Sequence, residues 1–315
     1  MHIPDGFLDA KTAIATTALS AVGVSVALVH LRRTLPRSRV PLIGLAAAFI
    51  FAAQMLNFPV FGGTSGHLVG AVLAAVLLGP HAAVLIMSSV LLLQCLIFAD
   101  GGVTALGANV FNMAVLAPGI GFAVYQLLRK IFGSSIRSRL FATAFAAWCS
   151  TVVAAIACAG ELAMSGIVPW KIVIPAMTTI HMLIGAGEAM ITTFIVFAVA
   201  KSRPEIFSEE LQAGLQPRLR EVLGYGLLIA IGLIIFVAPF ASSWPDGLEM
   251  VAASLGFENH AASQALIPSP LFDYAIPGLD LPFLSTASAG LIGLLLAFGF
   301  AYLLARRLTP TETGN

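Results

Sequence analysis

A chain of 315 residues that is 59% hydrophobic and only 10% charged, with a mean hydropathy of +0.97, is not a soluble globular protein; ordinary domains carry about 25% charge. A formal net charge of +1 supplies no basic face for nucleic acid, and three cysteines in apolar runs (Cys95, Cys149, Cys158) make no disulfide framework. The composition is that of an all-α polytopic membrane protein, because each helical crossing needs roughly 20 apolar residues.

The chain opens Met1-His2-Ile3-Pro4-Asp5-Gly6, without the basic start of a signal peptide. With Met1 uncleaved, the α-amine, the His2 amide nitrogen and the His2 imidazole belong to one dipeptide. A metal bound by all three closes a five-membered and then a six-membered chelate ring. The amine titrates near about 8 and imidazole near about 6.5. Loss of the amide proton needs a metal that favours planar nitrogen donors, such as Ni²⁺ or Cu²⁺. The alternative is an exposed terminal His2 without a role.

Apolar runs follow at about residues 10–31, 41–56, 67–78, 81–99, 107–128, 140–164, 173–200, 222–242 and 284–305, predicting about nine transmembrane helices. Gly44, Ala48 and Ala52 line one face of the second, where small residues permit close backbone approach. That face suits either internal packing or a partner subunit. The second and third runs are short, and a polar, glycine-rich turn from Asn57 to Gly66 joins them. Such backbone survives near a membrane only where protein or a water-filled cavity surrounds it, and transporters place substrates between broken segments of this kind.

His67 follows that turn at the outer end of the third run, on the same membrane side as Met1 and His2. It could supply a fourth nitrogen, with its imidazole kept neutral by a helix N-terminus and with Asn57, Thr64 and Ser65 as outer partners. Equally, it is a histidine hydrogen-bonded at a helix end. In a square plane with bonds of about 2.0 Å, adjacent donors lie about 2.8 Å apart. On the seventh run His181 and Glu188 share a face, as an intramembrane polar pair for a proton relay or for locking helices. His30, His81 and His260 fall at helix ends or in a loop. Gly63-Thr64-Ser65-Gly66 has the form found in intramembrane serine proteases, with His181 as the base. There is no HExxH and no Walker A sequence.

Fourteen of the sixteen Lys and Arg residues collect on one side, after the first, fifth, seventh and ninth runs. The positive-inside rule then places the N-terminus outside and the C-terminus in the cytoplasm. The organisation expected is a seven-helix binding module over 1–200, a cytoplasmic linker over 201–221, and a two-helix module over 222–315 with an outer loop at 243–283.

The stretches MHIPDGFLDA, TSGHLVGA, HMLIGAGEAMIT and SWPDGLEMVAASLGF together resemble the substrate-binding component of energy-coupling factor transporters for nickel and cobalt, fused to its PDGLE-type accessory subunit. The resemblance implies that the Met1 amine, the His2 amide and imidazole, and His67 bind the transported ion, Ni²⁺ or Co²⁺. It implies no catalytic residue and no cofactor. It also implies a separate transmembrane coupling subunit, two cytoplasmic ATPase subunits, and residence in a prokaryotic cell membrane. A self-contained proton-coupled transporter using His181 and Glu188 is the alternative.

Overall fold

The computed structural model describes residues 1–203, 219–262 and 266–309. All nine apolar runs are helical. The helices are α1 (Ala10–Thr34), α2 (Val40–Gln54), α3 (Ala71–Leu78), α4 (Pro80–Leu93), α5 (Leu106–Val110), α6 (Ala117–Phe132), α7 (Ile136–Met164) and α8 (Trp170–Ser202), then α9 (Leu219–Phe236), α10 (Gly247–Leu255) and α11 (Pro282–Leu308). A wide turn at Gln94–Phe98 extends α4, and another at Phe111–Leu116 welds α5 to α6. Among the described residues seven helices are long and apolar enough to cross a membrane. Of the helices in the nine apolar runs, the two that fall short, α2 and α3, come from the two short runs.

The first helix shows how its sequence sets its packing. Asp9 caps it by accepting from the Thr12 amide at 3.0 Å, and Arg32 and Arg33 occupy its last turn, where cations suit the negative end of the helix dipole. All but one of its buried residues are small (Thr12, Thr16, Ser20 and Ala27, with Leu31 the exception), which lets the backbone of α5 approach closely. Ser20 donates to the Gly107 carbonyl at 2.5 Å. The opposite face, with Ile14, Val22 and Val26, is exposed.

The turn between α2 and α3 forms a hairpin, β1 (Phe58–Val60) and β2 (Thr64–Gly66), with Phe58 opposite Gly66 and Val60 opposite Thr64. Gly62 and Gly63 close it with φ of 96° and 81°, values that side chains seldom adopt. His67 is not at the head of α3. Residues 67–70 belong to neither helix nor strand, and the helix starts at Ala71 after the left-handed Gly70.

The second module lies against the first. The 243–283 region expected as a loop contains α10, which packs on α8 and β2. The face of Gly44, Ala48 and Ala52 is taken by internal packing. A Cβ on Gly44 would meet Phe298 and Tyr302 of α11, and Ala48 and Ala52 are fully buried. It is therefore no free docking face for a partner subunit. Of the linker expected over 201–221, residues 204–218 lie outside the described residues. At its two ends Arg203 pairs with Glu221 at 3.0 Å.

Candidate metal centre

The N-terminal segment runs into the protein and turns at Gly6, whose φ is 94°, and Met1, Ile3, Asp5 and Phe7 are all buried. Asn109 of α5 grips Ile3 at both main-chain groups, accepting from its N–H at 2.8 Å and donating to its carbonyl at 3.0 Å. Gly102 N–H donates to the same carbonyl at 2.8 Å. Asp5 accepts from the Thr104 amide and hydroxyl at 2.8 and 2.6 Å. These clasps carry Met1 and His2 to His67.

The Met1 ammonium lies 3.3 Å from His67 Nε2, and the His2 and His67 rings stack with centroids 5.3 Å apart. His67 Nδ1–H donates to the Leu68 carbonyl at 3.2 Å, which leaves the Nε2 lone pair facing the amine. The separation exceeds the 2.8 Å of a closed square plane because the amine is also bound elsewhere, donating to Asp246 Oδ2 at 2.5 Å. His2 Nδ1, the nitrogen a six-membered chelate ring would use, sits 3.1 Å from Asp100 Oδ1, and its Nε2 is buried without a partner. Closing the chelate therefore means exchanging the Asp100 contact for the ion.

Electrostatics follow from burial. Desolvation, helped by the neighbouring ammonium and His2, pushes the His67 imidazole down to about 3, so it is neutral over the physiological range. This neutrality comes from burial rather than from a helix N-terminus. His2 is lowered by burial, partly offset by Asp100. Burial alone would lower the Met1 amine as well, but the Asp246 carboxylate outweighs it and holds the amine above its usual 8.0. In return, although burial works the other way, the ammonium holds Asp246 below the carboxylate range.

Of the remaining candidates, Glu188 supports this arrangement from outside. Glu188 accepts from the Val69 and Gly70 amides at 2.6 and 3.0 Å, and Gln54 donates to the Val69 carbonyl at 2.8 Å. Together they fix the stretch that carries His67. His181 donates from Nδ1 to the Met177 carbonyl at 2.8 Å, and its buried Nε2 has no partner. His181 and Glu188 do not bond to each other; one contacts its own helix and the other clamps a loop. Ser65 donates to the Trp244 carbonyl at 2.7 Å and Thr64 to the Pro245 carbonyl at 3.0 Å. Ser65 is thus turned to the second module and not to His181, so no protease dyad forms. Asn57 accepts from the Ser242 amide through its main-chain carbonyl at 2.8 Å. None of Asn57, Thr64 and Ser65 bonds to Met1, His2 or His67; Asn109, Asp100 and Asp246 hold this N-terminal segment instead. At the other end of α1, His30 and His81 stack with centroids 3.8 Å apart.

The loop clamp carries a prediction. In Glu188→Gln one of the two amides faces an NH₂ group instead of an acceptor, a cost of about 1–3 kcal/mol. Thermal unfolding should show that loss, with metal affinity falling roughly tenfold or less because no ligand is removed. An unchanged unfolding midpoint would rule the clamp out.

An open cavity of about 760 Å³ between the modules reaches His2 and His67, and its acidic lining is Asp100, Asp246, Glu249, Glu258 and Asp273. Such a field concentrates cations. Among the described residues no group of three or more His, Cys, Asp or Glu is placed to hold a metal. A helical membrane protein with a buried nitrogen cluster under an acidic vestibule is, as a class, a cation-transport component. Residues 2–206 match the cobalt uptake substrate-specific transmembrane region family, CbiM, and residues 220–309 match the PDGLE domain. The chain belongs to the CbiM family, with a PDGLE domain fused behind it. It is similar to the fused nickel transport protein NikMN of Rhodobacter capsulatus, at 33% identity over 86% of this chain and 82% of that protein. A relative from Archaeoglobus fulgidus, provisionally designated a fused nickel transport protein NikMN, is 39% identical over 96% of this chain and 97% of its own. A crystal structure described as a transition metal transporter aligns with a TM-score of 0.59 at 32% identity, over 70% of this chain and all of that one.

Proposed function

We propose that this chain captures Ni²⁺ or Co²⁺ at the outer face of a prokaryotic cell membrane for uptake driven by partner subunits. These partners are a transmembrane coupling subunit and two cytoplasmic ATPases. The observation that carries the reading is the convergence of the Met1 amine, His2 and the neutral Nε2 of His67 in one buried place beneath an acidic vestibule. Amine, amide and imidazole donors suit Ni²⁺ and Co²⁺. The family membership and the relatives' names point to the same pair of ions.

Metal competition on the purified protein with an unmodified N-terminus tests the site, and uptake with an inactive partner ATPase tests the energy source. Uptake that persists without ATP hydrolysis would favour the proton-coupled alternative through His181 and Glu188, against which stands the full use of both Glu188 oxygens in the loop clamp. The asymmetry of Lys and Arg supports an outer N-terminus and a cytoplasmic C-terminus. Single cysteines introduced over 243–283 should accept an impermeant thiol reagent from outside and those over 201–221 should not. The reverse pattern would invert the topology.

A further inference from the structure

We propose that Asp246 of the fused second module is a positioning residue of the metal site, holding the Met1 amine over His67 both before and after the ion binds. This rests on the reading of Met1, His2 and His67 as ligands. Asp246 is fixed from behind. Its Oδ1 accepts from the Leu248 and Glu249 amides at 2.8 and 2.9 Å, while Glu249 closes the capping box on the Asp246 amide at 2.9 Å. The helix it caps is seated in turn. The Pro245 carbonyl accepts from the Ser65 amide at 2.8 Å, Leu248 and Val251 are buried, and a Cβ on Gly247 would stand 2.7 Å from His181 Cε1. Only Oδ2 is left for the amine, and the two side chains are 15% and 4% exposed.

Coordination replaces one N–H of the ammonium by a metal–nitrogen bond. The proton leaves to solvent, the freed lone pair goes to the metal, and two N–H bonds remain for Asp246 to accept. The Asp246 contact therefore survives binding, as an outer carboxylate orienting a ligand does. The Asp100 contact does not, because it uses the His2 Nδ1 needed by the chelate ring. The PDGLE sequence acquires a physical reading: Pro245 is bonded to the His67 hairpin, Asp246 aims the amine, Gly247 admits the helix against His181, Leu248 buries, and Glu249 fastens the cap.

The test uses the full chain with a free Met1 and Ni²⁺ competed against a chromophoric chelator. Asp246→Asn and Asp246→Ser both retain N-capping and remove the carboxylate. Each should weaken Ni²⁺ binding by about 10–100-fold while leaving the ligand-field spectrum of the bound ion unchanged, since the four nitrogens are kept. Ser254→Ala, on the exposed end of the same helix, should bind within about threefold of wild type. Wild-type or tighter binding in the Asp246 variants, or an equal loss in Ser254→Ala, would overturn the assignment. His67→Ala run in parallel separates the two levels. If it binds normally the underlying site is wrong, whereas if it fails and the Asp246 variants do not, only this inference falls.

Discussion

Acetylating the Met1 amine, or placing even one residue before it, should abolish high-affinity binding of Ni²⁺ or Co²⁺. The amine would become an amide, so the chelate loses its first donor and the five-membered ring that organises the second. Loss of an outer partner already costs about 10–100-fold, so removing these two donors should weaken binding by at least about 10³-fold. Space argues the same way. The free volume beside Met1, walled by His67, Thr151, His181, Asp246 and Gly247, is about 10 Å³, at the threshold for one water. A C-terminal tag should be harmless. The pH dependence reports the same atom. Because the amine is held above 8.0 in its ammonium form, the metal must displace its proton throughout the range below that, and affinity must fall as pH falls. Each displaced proton contributes about tenfold per pH unit. Affinity measured by competition should climb from pH 6 to pH 8 without levelling near 7. His67, at about 3, adds nothing to that slope. A blocked chain that bound with unchanged affinity would refute the coordination.

Replacing His67 by Ala should remove metal binding, by at least about 100-fold, and leave the protein folded. The loss should exceed that of any outer partner, because a donor of the plane itself is deleted. The fold should survive because the stretch 67–70 is held through its main chain by Glu188 and Gln54, not through the imidazole. The truncation leaves a small gap against the His2 ring and releases the Leu68 carbonyl. Circular dichroism and size-exclusion behaviour close to wild type, with titrated Ni²⁺ unbound, is the expected pair of results. A folded variant that retained binding would move the site elsewhere, with His181 the next imidazole inward.

Hydropathy alone located the nine helical runs, because the membrane demands apolar length and internally satisfied backbone, and both are local properties of the chain. The donors were legible for a related reason. The Met1 amine, the His2 amide and the His2 imidazole are joined by covalent bonds, and their chelate geometry needs no fold to be stated. His67 was singled out by its place after the glycine-rich turn, by its membrane side and by the TSGHLVGA stretch around it. What encloses these groups depends on contacts between residues far apart in sequence. Asn109 clasps Ile3 from 106 residues away, Glu188 clamps Val69 from 119, and Asp246 reaches Met1 from 245. No periodicity announces such pairings. Gly44, Ala48 and Ala52 illustrate the limit, since small residues signal close approach but not the partner, and α11 fills the place. Thr64 and Ser65 donate to carbonyls of the second module and Asn57 accepts from its Ser242 amide, pairings that only the packed second module shows. The sequence by itself determined the membrane class, the helical runs and the chemistry of the proposed donors, all set by composition and covalent connectivity. The tertiary structure decided their orientation, their burial and the carboxylates that answer their charge, because hydrogen bonding and desolvation are properties of the packed chain.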